Sequence, residues 1–124
     1  VMFMSELDDQ KMIQCYQQCD VFVLPNRSVG RDIEGFGMVL VEAQACARPV
    51  IAGDSGGTAE TMIINETGYI VDCTLTAPLA EKICLLLENE HLRDRMGAAG
   101  RKHVRQTLDW PVLSNALSAE FDTL

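Results

Sequence analysis

No run of about 18 apolar residues occurs anywhere in this 124-residue chain, so no segment is long enough to cross a bilayer as a helix. No basic-then-apolar leader precedes a small-residue cleavage site, and a cytoplasmic protein is expected. There is no Cys-x-x-Cys pair. The five cysteines, Cys15, Cys19, Cys46, Cys73 and Cys84, form an odd, scattered set that reads as buried, reduced thiols rather than a disulfide frame or a zinc site. Gly-x-Gly-x-x-Gly follows none of the apolar runs, which argues against a nicotinamide-type oxidoreductase. Cations are scarce. Ten Lys and Arg against 18 Asp and Glu give a net charge of −8, and such a chain does not grip nucleic acid or an anionic membrane through its overall field. Arg93, Arg95, Arg101, Lys102, His103 and Arg105 do cluster, but no aromatics interleave them, so they read as a solvated helix face.

What the chain does have is apolar content. Hydrophobic residues make up 48%, enough for the core of one domain spanning residues 1–124. Val1 to Met4 reads as the end of an apolar strand. Met12, Cys15, Tyr16 and Cys19 recur at helical spacing behind an acidic first turn, Asp8 and Asp9, so an amphipathic helix is expected from Leu7 to Cys19. Asp20 to Pro25 is a continuous apolar run stopped by proline, the pattern of a strand buried on both faces. After a polar loop, Asn26 to Glu34, come a glycine turn, a helix from about Met38 to Ala47, a second buried strand at Pro49 to Ala52, and a short strand at Tyr69 to Val71. Strands and helices alternating in this way predict an α/β fold, a partial Rossmann-like domain of about four mostly parallel strands with flanking helices. From Leu75 the chain reads as helical, with Asn89 capping a second helix, Gly97 and Gly100 breaking or bending it, and Asp109 opening a terminal helix over residues 109–124.

Glu34-Gly35-Phe36-Gly37-Met38-Val39-Leu40-Val41-Glu42 organises the rest. Its glycines permit a tight turn feeding a helix, and the first amides of that helix lack internal partners and carry the positive end of its dipole, a seat for a phosphate. Glu42 lies among Val39, Leu40, Val41 and Ala43. An unpaired charge buried there would cost several kcal/mol, so it is expected to have a dedicated hydrogen-bond partner, a sugar diol being one candidate.

With Val21-Phe22-Val23-Leu24-Pro25 before this E-x7-E stretch, and Pro49-Val50-Ile51-Ala52-Gly53 and Ser55-Gly56-Gly57 after it, the chain resembles the retaining nucleotide-sugar glycosyltransferases of GT-B architecture, glycosyl transferases group 1. The loop from Asn26 to Gly37 is most similar to the phosphatidylinositol mannosyltransferase branch, whose donor is GDP-mannose. The resemblance implies a carboxyl-terminal, donor-binding domain lacking its first strands, with an amino-terminal acceptor domain outside this chain. The full-length enzyme would then be peripheral at the inner membrane face. It also implies that Glu34 contacts the transferred sugar as the catalytic residue, that the backbone of Gly35, Phe36, Gly37, Met38 and Val39 binds sugar and diphosphate, and that Glu42 holds the ribose. Met4 would border the nucleobase, and Arg27 is a candidate to approach the donor. Ala47 stands where the family commonly has glycine, which bears on how its helix ends.

The implied partner is a nucleotide sugar, bound as substrate, with no cofactor. No Asp-x-Asp motif occurs, so no divalent metal is expected on the pyrophosphate. The basic pair that neutralises the diphosphate in the family finds no counterpart in the first half of the chain, where Lys11, Arg27, Arg31 and Arg48 are the cations. Little or no transfer by this chain alone is therefore expected. A non-catalytic α/β interaction module derived from the same fold is the competing reading. Strands missing ahead of Val1 would leave the first strand displaced, re-paired, or paired with a second copy of the chain through an exposed sheet edge.

Overall fold

A computed structural model describes residues 1–33 and 35–123. Helix α1 (Asp9–Gln18) leads to strand β1 (Phe22–Leu24), helix α2 (Met38–Ala45), strand β2 (Val50–Gly53), a 3-10 turn (Thr58–Thr61), strand β3 (Gly68–Val71) and helices α3 (Thr76–Leu87) and α4 (Glu90–His103). A π-helical turn (Val104–Leu108) joins α4 to the last helix, α5 (Trp110–Asp122). The three strands form one parallel sheet in the order β1-β2-β3, with Val23 opposite Ile51 and Ile51 opposite Tyr69.

The sheet is central because β2 is buried at every residue, and alternate side chains on a strand point to opposite faces. Val50 and Ala52, with Phe22, Leu24 and Ile70, pack under α1 and α2 against Tyr16, Leu40 and Ala43. Ile51, with Val23, Tyr69 and Val71, packs on the other face against Leu86 of α3 and Met96 of α4. The continuous apolar run at residues 49–52 is the signature of this two-sided burial. β1 is an edge strand and is only half-buried.

Three elements depart from expectation. Val1 to Met4 forms no strand, leaving three strands rather than about four. These residues are exposed, Phe3 at 95%, and pair with neither edge of the sheet. Gly97 and Gly100 neither break nor bend α4, which runs unbroken from Glu90 to His103. They lie where α4 crosses α2: a Cβ at Gly97 would stand 2.1 Å from the Ala47 carbonyl oxygen, and one at Gly100 would press on Gln44. Finally, α5 begins as expected, with Asp109 Oδ1 accepting from the Trp110 amide, but the apolar face that Val112, Leu113, Leu117 and Phe121 are expected to give it stays exposed rather than packing on the core.

Other caps form as the sequence indicates. Asp8 accepts from the Lys11 amide at 2.8 Å and Asn89 from the Leu92 amide at 2.9 Å. Arg93 donates through Nη1 to the carbonyls of Leu86 and Leu87, both at 2.8 Å, closing the end of α3. Arg101 and Lys102 occupy the last turn of α4, where cations offset the helix dipole. α2 ends in a Schellman motif: the Arg48 amide donates to Ala43 O and the Ala47 amide to Gln44 O, with Ala47 in the left-handed region at φ 58°.

Glycine fits that left-handed position without the Cβ penalty, and Ala47→Gly is expected to raise stability by about 0.5 kcal/mol after the added freedom of the unfolded chain is subtracted. An unchanged or lower urea midpoint would contradict it. Gly97→Ala is expected to lower stability by about 2 kcal/mol or more, read as a lower urea midpoint, because backbone rather than a side chain must give way. Native-like stability would show that the two helices do not meet at this glycine.

Candidate functional site

Parallel strands carry their following loops to the same edge of the sheet, and here those loops are bonded to one another. Asn26, just past β1, accepts from the Gly53 amide through Oδ1 at 2.9 Å and donates through Nδ2 to the Ser55 carbonyl at 3.3 Å. The Ser28 and Ser55 hydroxyls are 2.8 Å apart. Thr58, fully buried, donates to the carbonyls of Gly53 and Ser55, and the Gly57 amide donates to the Gly35 carbonyl at 2.8 Å. The loop after β2 thus holds the glycine turn in place. Gln44 ties the 3-10 turn to α2 from behind, donating through Nε2 to Thr61 O at 2.7 Å and Leu40 O at 3.1 Å.

Into this frame α2 presents its amino end. Gly37, at φ 78° and ψ 55°, caps it in the left-handed conformation and contributes no side-chain hydrogen bond. A Cβ there would come within 3.1 Å of Leu40 Cδ1, so backbone geometry and packing both favour glycine. Gly35 and Met38 are exposed, Phe36 and Val39 half-buried, and Gly37 buried. The helix start expected to seat an anion thus lies at the carboxyl edge of the parallel sheet, with no side chain capping its amides. Glu34, expected to carry the chemistry, lies outside the described residues. Arg27 is exposed in the loop after β1.

Glu42 departs from its expected setting. It is exposed, on the face of α2 opposite Leu40, Ala43 and Gln44, because chain neighbours on a helix point in different directions around its axis. Its expected hydrogen-bond partner is nevertheless there. The Tyr16 hydroxyl of α1 donates to Glu42 Oε2 at 2.7 Å. The Tyr16 ring is buried and tilted against Phe22, with centroids 5.4 Å apart. Burial first, then the Glu42 hydrogen bond and charge, push the Tyr16 phenol well above its ordinary value. Tyr16 was placed only on the core stripe by its helical spacing, and nothing in the sequence marked its hydroxyl as the partner of an acid 26 residues on.

Between α1 and α2 lies a groove of about 550 Å³ lined by Asp9, Met12, Ile13, Tyr16, Glu42, Ala45 and Cys46. Met4, expected to border a base, is not among the lining residues. It is exposed in the coil ahead of α1 because the strand that would carry it does not form. A second concavity, beside Arg101, Lys102 and Arg105, runs along the flank of α4.

A parallel sheet flanked by helices, with a helix starting at its carboxyl edge, defines a class, the Rossmann-like α/β domains. The comparisons narrow that class. Residues 1–103 match the model of glycosyl transferases group 1, and the chain belongs to that family. Over 120 residues it is 41% identical to a GDP-mannose-dependent monoacylated alpha-(1-6)-phosphatidylinositol monomannoside mannosyltransferase of Corynebacterium glutamicum, covering 95% of this chain and 31% of that protein. It is 42% identical over 101 residues to the corresponding enzyme of Mycobacterium tuberculosis, covering 80% and 26%. The chain therefore spans less than a third of these relatives. Among solved structures, sucrose-phosphate synthase from Thermosynechococcus elongatus superposes with a TM-score of 0.87 at 29% identity, over 99% of this chain and 30% of that one. Anabaena HepE, solved in complex with UDP, superposes at 0.80 with 22% identity, over 90% and 29%, and shows the shared fold. The GT-B-like α/β architecture is thus established for this chain.

Because the folded chain keeps the Tyr16 proton above pH 10 and the unfolded chain releases it near 10, the contribution of this pair to stability is complete below about pH 10 and falls as pH rises further. Denaturation midpoints followed from pH 8 upward should fall more steeply above pH 10 in the native chain than in Tyr16→Phe. Equal slopes would contradict a protonated, buried phenol.

Proposed function

We propose that this chain is the nucleotide-sugar-binding part of a retaining glycosyltransferase that moves a hexose, of mannose or glucose type, from a GDP- or UDP-sugar to a lipid or glycan acceptor. The observation that carries the reading is the open amino end of α2, framed by Gly35 and Gly37 on one side and by Glu42 one turn further along. The amides of residues 35–39 take the diphosphate, the helix dipole stabilising it as the leaving group. Glu42 takes the ribose hydroxyls. Glu34 takes the sugar, either as nucleophile or by orienting it for attack from the leaving-group face. Relatives described as GDP-mannose-dependent favour guanine and mannose.

In this reading the sugar nucleotide is the substrate and no cofactor is needed. Without an Asp-x-Asp pair in the chain, the diphosphate is held by amides and by cations rather than through a metal. Arg27, exposed in the loop after β1, is the candidate cation there; Arg48 instead donates to the Cys19 carbonyl at 3.2 Å. The remaining cations and the acceptor site belong to an amino-terminal domain, so this chain alone binds donor without transferring it, and the complete enzyme works at the inner face of the membrane. The exposed Val1–Met4 stretch and the free edge of β1 favour contact with that domain or a second copy. The engagement of Arg48 elsewhere favours one alternative, an interaction module that kept the fold and lost the donor.

Isothermal calorimetry separates the two. Saturable binding of GDP and GDP-mannose, weakened about tenfold by Glu42→Ala as expected for one lost charge-assisted hydrogen bond, supports the donor domain. No saturable heat with GDP, GDP-mannose, UDP or UDP-glucose would leave the interaction module.

A further inference from the structure

An exposed glutamate on a helix samples several rotamers, and a ligand that needs one of them must first overcome that freedom. Glu42 is exposed but not free. Tyr16 holds Oε2 at 2.7 Å, and Tyr16 is itself immobilised, 6% exposed, with its ring against Phe22 and its carbonyl accepting from Cys19 Sγ at 3.3 Å. A carboxylate offers about four acceptor positions on two oxygens. Among the described residues Oε1 accepts no hydrogen bond, and Glu42 lines the α1–α2 groove with Met12, Ile13 and Ala45.

The charge of the groove identifies what kind of group fits it. Asp9 and Glu42 are both acids and no cation lines it, so its occupant donates hydrogen bonds and is not a phosphate. The anion seat is separate: Met38 lies four residues before Glu42, about 6 Å along the axis of α2. A diphosphate at the helix start with a hydroxyl-bearing sugar one turn further along is the layout of a nucleoside diphosphate.

We propose that Tyr16 is a positioning residue for the ribose of that nucleoside: its hydroxyl locks the Glu42 carboxylate in the orientation that receives the ribose hydroxyls, and so sets the preference for ribo- over deoxyribonucleotides. The inference rests on the reading of Glu42 as the ribose-holding acid. Tyr16 itself touches no reacting atom. The raised phenol pKa agrees with this arrangement, since the hydroxyl stays a donor throughout the neutral range.

The test compares GDP with 2′-deoxy-GDP and 3′-deoxy-GDP by calorimetry on the native chain, Tyr16→Phe, Glu42→Gln and the double variant. The native chain is expected to favour GDP by about tenfold, and Tyr16→Phe to reduce that ratio to about threefold or less with an unchanged far-UV spectrum. The double variant should bind no worse than Glu42→Gln alone, as expected of two residues acting as one unit. A full ribo preference in Tyr16→Phe, or additive losses in the double variant, overturns the inference while leaving Glu42 as the ribose ligand. If the native chain does not distinguish GDP from its deoxy forms, the Glu42 reading fails and this one with it. Should Tyr16→Phe not fold, 3-fluorotyrosine incorporated in the native chain gives the same answer. The 19F signal of residue 16 should move with GDP and remain in place with 2′-deoxy-GDP, and a signal indifferent to saturating GDP overturns the inference.

Discussion

A helix start can hold an anion only if its first amides stay uncapped and the backbone before them stays fixed, and the proposed donor site depends on Gly37 for both. Its left-handed conformation turns the chain into α2 without a side chain to cap the amides. Openness alone would leave a loose loop. The Gly57 amide bound to the Gly35 carbonyl, and Thr58 buried beneath, supply the fixity from the neighbouring strand's loop. Both loops reach the place because β1 and β2 are adjacent and parallel, and they are parallel because β2 is apolar on both faces and needs helices above and below it.

Legibility from the sequence followed the physics of each segment. Continuous apolar runs mark strands, so residues 20–25 and 49–52 could be read as such; two-sided burial holds for β2, whereas β1 lies at the sheet edge and is only half-buried, which local composition does not reveal. Asn89 and Asp109 could be read as caps because a capping side chain acts within its own helical turn. Gly97 and Gly100 could not. Their local signal is helix weakness, whereas their role is to let α4 approach the Ala47 carbonyl and Gln44, contacts set by residues some fifty positions away. Val1 to Met4 has the composition of a strand, yet a strand exists only beside another.

The backbone of the candidate site was legible as a glycine turn entering a helix, whereas the setting of Glu42 was misread. The glycine turn, the helix start and the carboxyl edge emerged from one contiguous stretch. Glu42 was assigned to a buried setting because α2 is apolar almost all round, which conceals the face turned to solvent; the true environment is a groove shared with α1. The requirement that this acid have a partner survived the change of setting. The partner is Tyr16, supplied by the protein before any ligand arrives.

The proposed donor site puts the diphosphate of a nucleotide at the amino end of α2. Amide chemical shifts followed by 1H–15N NMR during a GDP titration test it most directly. The largest shifts are expected on Gly35, Gly37, Met38 and Val39, with smaller ones reaching Glu42 and Tyr16. Shifts confined to the basic flank of Arg101, Lys102 and Arg105, with the glycine turn unmoved, would contradict it.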